Sequence, residues 1–136
     1  MKTQLGLLAG LVFFVSPAWA ADHHSGLMNR WYDALVAVER EEIAALLASG
    51  ATIELKDIGV TQTSAEFVES LDEWADAIKG GSIRHKITAD SIDTVTASVC
   101  YTFASSAMMT TENFMFAGKQ ITSSIQETVA TNCDSF

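Results

Sequence analysis

The chain has 136 residues, with 17 acidic and 8 basic side chains and a formal net charge of −9 at pH 7. A surplus of acid on that scale disfavours binding to phosphate backbones, so no nucleic-acid partner is expected. The three histidines fall at 23, 24 and 85, so a three-histidine zinc centre is not available, and no metal or cofactor is expected.

The N-terminus carries Lys2, an uncharged apolar run from Leu5 to Val15, then Ser16, Pro17 and Ala18-Trp19-Ala20. That is the three-part layout of a cleavable secretory signal over residues 1–20, and the run is shorter than the roughly 20 apolar residues of a membrane-spanning helix. The expected product is periplasmic or secreted, without membrane attachment after cleavage, and its 116 residues, 21–136, suit one domain. Cleavage after Ala20 or Ala21 places His23 or His24 third from a free amine, a nitrogen set suited to square-planar Cu(II) or Ni(II).

From Ser25, the apolar positions Leu27, Met28, Trp31, Tyr32, Leu35 and Val38 recur at helical spacing, with Asn29, Arg30 and Asp33 opposite. Glu39, Glu41 and Glu42 ahead of Ile43, Leu46 and Leu47 predict a second short helix stopped by Gly50, continuous with the first or kinked near Arg40. A short strand is expected over Ala51 to Leu55 and a loop over Lys56 to Gln62 around Gly59. Thr63-Ser64-Ala65-Glu66 has the form of a capping box, and Phe67, Leu71, Trp74 and Ile78 continue one helical face that ends at Gly80-Gly81.

Beyond Gly81 the apolar period changes to two. A strand is expected over about Ile83 to Ile92, and in the next Val95, Ala97, Val99, Tyr101 and Phe103 alternate with Thr96, Ser98, Cys100 and Thr102. Met108, Phe114 and Phe116 share one parity, and Ile121, Ile125 and Val129 share another across a turn at Ala117-Gly118-Lys119. Helices first and an antiparallel meander second give an α+β fold with the helices on one face of a curved sheet. Cys100 and Cys133, an even pair in an exported chain, are expected to form a disulfide, which requires the C-terminal tail to curl back within about 7 Å of the strand.

Two residues stand out by periodicity alone. Glu112 shares its face with Met108, Phe114 and Phe116, and a carboxyl on an apolar face has a raised pKa. The alternative is a rim or interface glutamate, or one paired to Arg84 or Lys119. His85 shares a face with Ile83 and Ile87, so its ring can point inward as a general base or sit as a hydrogen-bonded core histidine.

Three stretches make the chain resemble the nuclear transport factor 2-like superfamily, the fold of ketosteroid isomerases, SnoaL-like cyclases and scytalone dehydratases. They are Arg30-Trp31-Tyr32-Asp33-Ala34-Leu35 with Ile43 to Leu47 and Ala51-Thr52-Ile53-Glu54, then Phe67 to Ile78, then Glu112-Asn113-Phe114-Met115-Phe116-Ala117-Gly118-Lys119. The resemblance implies a cone-shaped roll, an apolar pocket and a homodimer. Ketosteroid isomerases use an Asp base with a Tyr and a protonated Asp as oxyanion donors. Here the Tyr position falls on Trp31, which has no hydroxyl, with Tyr32 on a different helical azimuth. The base position falls near Leu55, between Glu54 and Asp57, and the protonated-acid position falls on Glu112.

These residues imply a module for a small apolar molecule, its pocket lined by Trp31, Tyr32, Phe67, Trp74, Tyr101, Phe103, Glu112 and Phe114. The first alternative is an isomerase, dehydratase or cyclase with Asp57 or His85 as base and Glu112 as acid or oxyanion donor. The second is a dimeric interaction module using the Ser- and Thr-rich face of residues 119–131.

Overall fold

The apolar spacing that opens the chain body folds as helix α1 (Ser25–Ala37), burying Met28, Trp31, Tyr32, Ala34 and Leu35. This computed structural model describes residues 22–136; the segment read as a signal, residues 1–20, lies outside the described residues. α1 stops at Val38, whose φ of 55° lies in the left-handed region, while the amides of Val38 and Glu39 turn back to the carbonyls of Leu35 and Ala34. That conformation disfavours a β-branched side chain, so the turn is held by its surroundings. The break between the two helices therefore falls at Val38 and Glu39.

Helix α2 (Arg40–Leu46) ends four residues before Gly50. Gly50 is not its stop, because the chain is already extended in β1 (Leu47–Leu55), with Leu47 paired to Ile121. A 3-10 turn (Lys56–Ile58) and a short strand β2 (Val60–Thr63) then occupy the segment expected to be a loop.

The capping box forms as predicted: the Glu66 amide donates to Thr63 Oγ1 and the Thr63 amide to Glu66 Oε1, both at 3.2 Å. The helix it starts is broken into α3 (Ser64–Glu69) and α4 (Leu71–Ile78). At the break, the Ser70 hydroxyl donates to the Phe67 carbonyl at 2.6 Å, a local bond that competes with the helical ladder. The exit from α4 needs glycine twice. Gly80 has φ of 74°, and a Cβ on Gly81 would lie 2.3 Å from the Thr102 carbonyl oxygen.

The strands β3 (Ser82–Asp90), β4 (Thr94–Thr102), β5 (Ala107–Ala117) and β6 (Gln120–Ala130) form the predicted antiparallel meander. The whole sheet has the order β2-β1-β6-β5-β4-β3, and β1 joins β6 in parallel, so it is mixed rather than purely antiparallel. Helices pack on its inner face, where Val95, Val99, Phe114 and Phe116 meet Trp31, Leu35 and Ile43 in one core. Each such side chain contributes about 1.5 to 3 kcal/mol by leaving water.

The last strand departs from its predicted parity. The register slips between Met115 opposite Ser123 and Phe116 opposite Ile121, a bulge that exchanges the two faces of β6. Ser124, Gln126 and Thr128 consequently stand opposite the inward Phe114, Glu112 and Thr110, whereas Val129 is left exposed.

The tail beyond β6 does curl back. Cys133 is bonded to Cys100 with their Cα atoms 5.8 Å apart, within the range a bridge tolerates. Phe136 then lies under the Arg84 guanidinium, 4.8 Å from its ring centre, and the Lys86 ammonium, at 4.4 Å. Among the described residues, no helix is long and apolar enough to cross a membrane.

Candidate functional site

β5 places Thr110 and Glu112 two residues apart on its inward face, and Ala97 of β4 lies directly opposite Glu112. So small a neighbour leaves space above the carboxyl, and two phenols fill it. Tyr32 of α1 donates to Glu112 Oε1 at 2.8 Å, and Tyr101 of β4 to Oε2 at 2.5 Å. The Thr110 hydroxyl adds a third bond to Oε2 at 2.7 Å. The tyrosine position that the resemblance places on Trp31 is taken by Tyr32, whose hydroxyl, and not the Trp31 ring, meets the acid.

Glu112 is fully buried, and burial raises its pKa against the opposing effect of the three hydroxyls. Both phenols are held well above their ordinary value, first by burial and then by the neighbouring Glu112 charge, so they keep their protons at neutral pH. Among the described residues no basic side chain touches this carboxyl; its partners are hydroxyls, not Arg84 or Lys119.

His85 reaches the cluster only through Tyr32, its ring stacked on the phenol with centroids 4.6 Å apart. Partial burial lowers its pKa, against the opposing charge of Asp33. The imidazole does not line the cavity described next, which removes it from the candidates for a base acting there.

That cavity, of about 480 Å³, lies between α4, the 3-10 turn and the inner face of the sheet. Leu35, Leu55, Phe67, Leu71, Trp74 and Met108 make its apolar wall; Asp57, Tyr101, Thr110, Gln126 and Thr128 supply polar groups. Glu112 stands behind Tyr101 and Thr110 and does not reach the wall. Of the aromatic residues expected there, Phe67, Trp74 and Tyr101 line it. Trp31 and Phe114 are instead closed into the core, Trp31 against Phe67 and Phe114. Tyr32 is held between Glu112 and His85, and Phe103 packs behind Tyr101 and Trp74.

Trp74 is fixed by its own Nε1, which donates to the Leu35 carbonyl of α1 at 2.8 Å. Asp57 is fixed from the sheet, its Oδ2 accepting the Thr128 amide at 3.0 Å. Thr110, Gln126 and Thr128 are wall residues that the sequence reading did not name. Thr110 shares the parity of Glu112 and was accessible to that reasoning; the other two depend on the bulge. Among the described residues, no group of three His, Cys, Asp or Glu side chains is close enough to hold a metal ion. The site can thus present two carboxylates, Asp57 and Glu73, together with the hydroxyls of Tyr101 and Thr110, in a half-open, largely apolar pocket.

No protein-family model and no curated protein matches the sequence. Solved structures do match the fold. The chain is similar to a candidate ketosteroid isomerase from Kribbella flavida, at 19% identity and a TM-score of 0.68, over 77% of this chain and 76% of that one. It is similar to IdmH, a candidate polyketide cyclase from Streptomyces antibioticus, at 12% identity and a TM-score of 0.67, over 77% and 91%. A nuclear transport factor 2-like protein of unknown function from Burkholderia xenovorans matches at 10% identity and a TM-score of 0.64, over 76% and 80%. The fold is therefore α+β of the nuclear transport factor 2-like kind, as the sequence resemblance implied. At these identities the likeness concerns the fold alone, which hosts many unrelated activities.

Proposed function

We propose that the protein binds a small, mainly apolar molecule that directs one polar atom toward Tyr101 and Thr110. The observation that carries this is the cavity itself, about 480 Å³ with an apolar wall and a few converging polar groups, within the size range of small-molecule sites. Glu112 acts from behind. By accepting from Tyr101 and Thr110 it fixes both hydroxyls, so a ligand meets pre-oriented groups and less ordering is needed on binding. An intramolecular disulfide supports the exported reading, because such bonds persist in oxidising compartments. We propose the homodimer contact on the outward sheet face, where Met115 is half exposed; a monomer at micromolar concentration by sedimentation removes it.

Native mass spectrometry of the protein purified from its own compartment tests the pocket. The expected result is one retained apolar molecule per chain, lost from an Ala77→Phe variant, since Ala77 lines the cavity at an exposed position of α4. Retention of the same molecule by that variant contradicts the assignment.

A second reading is supported by Asp57 and Tyr101 lining one cavity. In it, Asp57 removes a proton from a carbon acid, the chemistry of an isomerase or cyclase, while the hydroxyl oxygens of Tyr101 and Thr110, whose protons are given to Glu112, accept a hydrogen bond from a donor group of the substrate. Asp57→Asn keeps an acceptor for the Thr128 amide, so the fold is expected to survive. If the protein is an enzyme, kcat on the retained molecule is expected to fall at least about 100-fold with the dissociation constant nearly unchanged. Parallel loss of binding and turnover contradicts a base role.

A further inference from the structure

Asp90, at the end of β3, gathers the start of the described chain. Its Oδ2 accepts the amides of His23 and His24 at 2.9 and 3.1 Å, and its Oδ1 meets His24 Nδ1 at 2.7 Å. The His24 ring is almost wholly buried and stacked on Phe116, centroids 4.2 Å apart and planes 17° from parallel. With Oδ2 taking the two amides and Oδ1 facing Nδ1, the tautomer that fits this geometry donates from Nδ1 and leaves its lone pair on Nε2.

His24 Nε2 has no hydrogen-bond partner among the described residues, and His24 lines an open surface groove of about 470 Å³ together with the exposed His23. The two ring centroids are 6.1 Å apart. Imidazoles sharing one ion at about 2.0 Å from each nitrogen hold their centroids within about 6.4 Å, so the pair is in reach, and exposed His23 can close the remaining angle by rotating. A ligating histidine whose other nitrogen is bonded to a carboxylate is the usual outer-shell arrangement of protein metal sites. The local charge permits a cation: Arg30 at the groove is paired to Glu42, and two carboxylates stand beside the histidines, Asp90 on the His23 and His24 amides and Asp22 on the Ser25 amide.

We propose that His23 and His24, with Asp90 orienting His24, form an open two-imidazole site for a borderline divalent transition metal, Cu(II) in particular. Solvent or a small ligand completes the coordination. The site is distinct from the amine-based set read in the sequence. That set, when it starts at Asp22, needs His24 Nδ1, which is committed to Asp90. The two-imidazole site uses Nε2 and needs no free amine.

The test is a Cu(II) titration of the full 136-residue chain, whose amine precedes His23 by 22 positions in sequence, followed by calorimetry and electron paramagnetic resonance. One equivalent is expected to bind with a micromolar or tighter dissociation constant and to show imidazole nitrogen couplings. His23→Ala is expected to weaken binding at least about tenfold, and Asp90→Asn by about 10- to 100-fold with circular dichroism unchanged. His24→Ala is expected to abolish it; because that buried variant can also unfold, the exposed His23 carries the decision. No saturable binding by the full chain, or affinity unmoved by His23→Ala, overturns the proposal.

Discussion

Glu112→Ala is expected to lower the free energy of unfolding by about 3 to 4 kcal/mol, because it leaves the hydroxyls of Tyr32, Tyr101 and Thr110 buried without their acceptor and opens a void. Glu112→Gln keeps the shape and an acceptor oxygen, so its cost is expected near 1 kcal/mol at mildly acidic pH. The difference between wild type and Glu112→Gln should depend on pH with a defined sign. A carboxyl whose folded pKa is raised contributes fully below its unfolded value, near 4.5, and loses that contribution as pH rises through the folded value.

Wild type therefore loses stability relative to Glu112→Gln as the pH moves from about 4.5 toward 8. His85 acts oppositely in part of that window: its lowered folded pKa gives a contribution present above about 6.5 and lost as pH falls. His85 is common to both proteins, so the difference isolates Glu112. Urea midpoints at pH 5 and pH 8 are the measurement, and a pH-independent difference contradicts a buried acid with a raised pKa.

Removing the disulfide by Cys100→Ser with Cys133→Ser is the second large expected effect. The bridge closes a separation of 33 residues, which in the chain-entropy treatment contributes about 3 to 4 kcal/mol. For a domain of this size, that lowers the melting temperature by roughly 10 to 20 °C. It also frees the tail, so the contact of Phe136 with Arg84 and Lys86 is lost with it. Reduction of wild type should reproduce the shift. A melting temperature that moves by less than about 3 °C in both experiments contradicts a structural role for the bond.

The parts of this fold legible in the sequence are those fixed by neighbours along the chain. The Thr63 to Glu66 box, the glycine exit at 80 and 81, and the inward set Val95, Ala97, Val99 and Tyr101 follow from local geometry, and each is where it was expected. Glu112 was legible for the same reason, as the polar member of an apolar parity. Its partners were not. Tyr32 and Tyr101 come from 80 and 11 residues away, and their convergence depends on the packing of α1 against the sheet and on the register of β4 against β5.

The largest departures share one physical cause, long-range pairing. Nothing local tells β1 to run parallel beside β6, and that pairing draws Leu47 to Gly50 out of the predicted helix. One bulge in β6 turns Gln126 and Thr128 inward, where periodicity had placed Ile125 and Val129. The cavity is accordingly more polar on its sheet side than expected, and Trp31 and Phe114 belong to the core instead of the wall. Asp57 lines the pocket from the short turn after β1, its carboxylate accepting the Thr128 amide of β6.

The most direct test of the central claim is a titration with N-phenyl-1-naphthylamine, a neutral apolar fluorophore small enough for the cavity, on wild type and Ala77→Phe. Wild type is expected to bind one equivalent saturably with a micromolar dissociation constant, and Ala77→Phe to weaken it at least about tenfold, the loss expected when a bulky group takes ligand space. No saturable binding, or equal affinity in the two proteins at equal stability, contradicts a ligand cavity between α4 and the sheet.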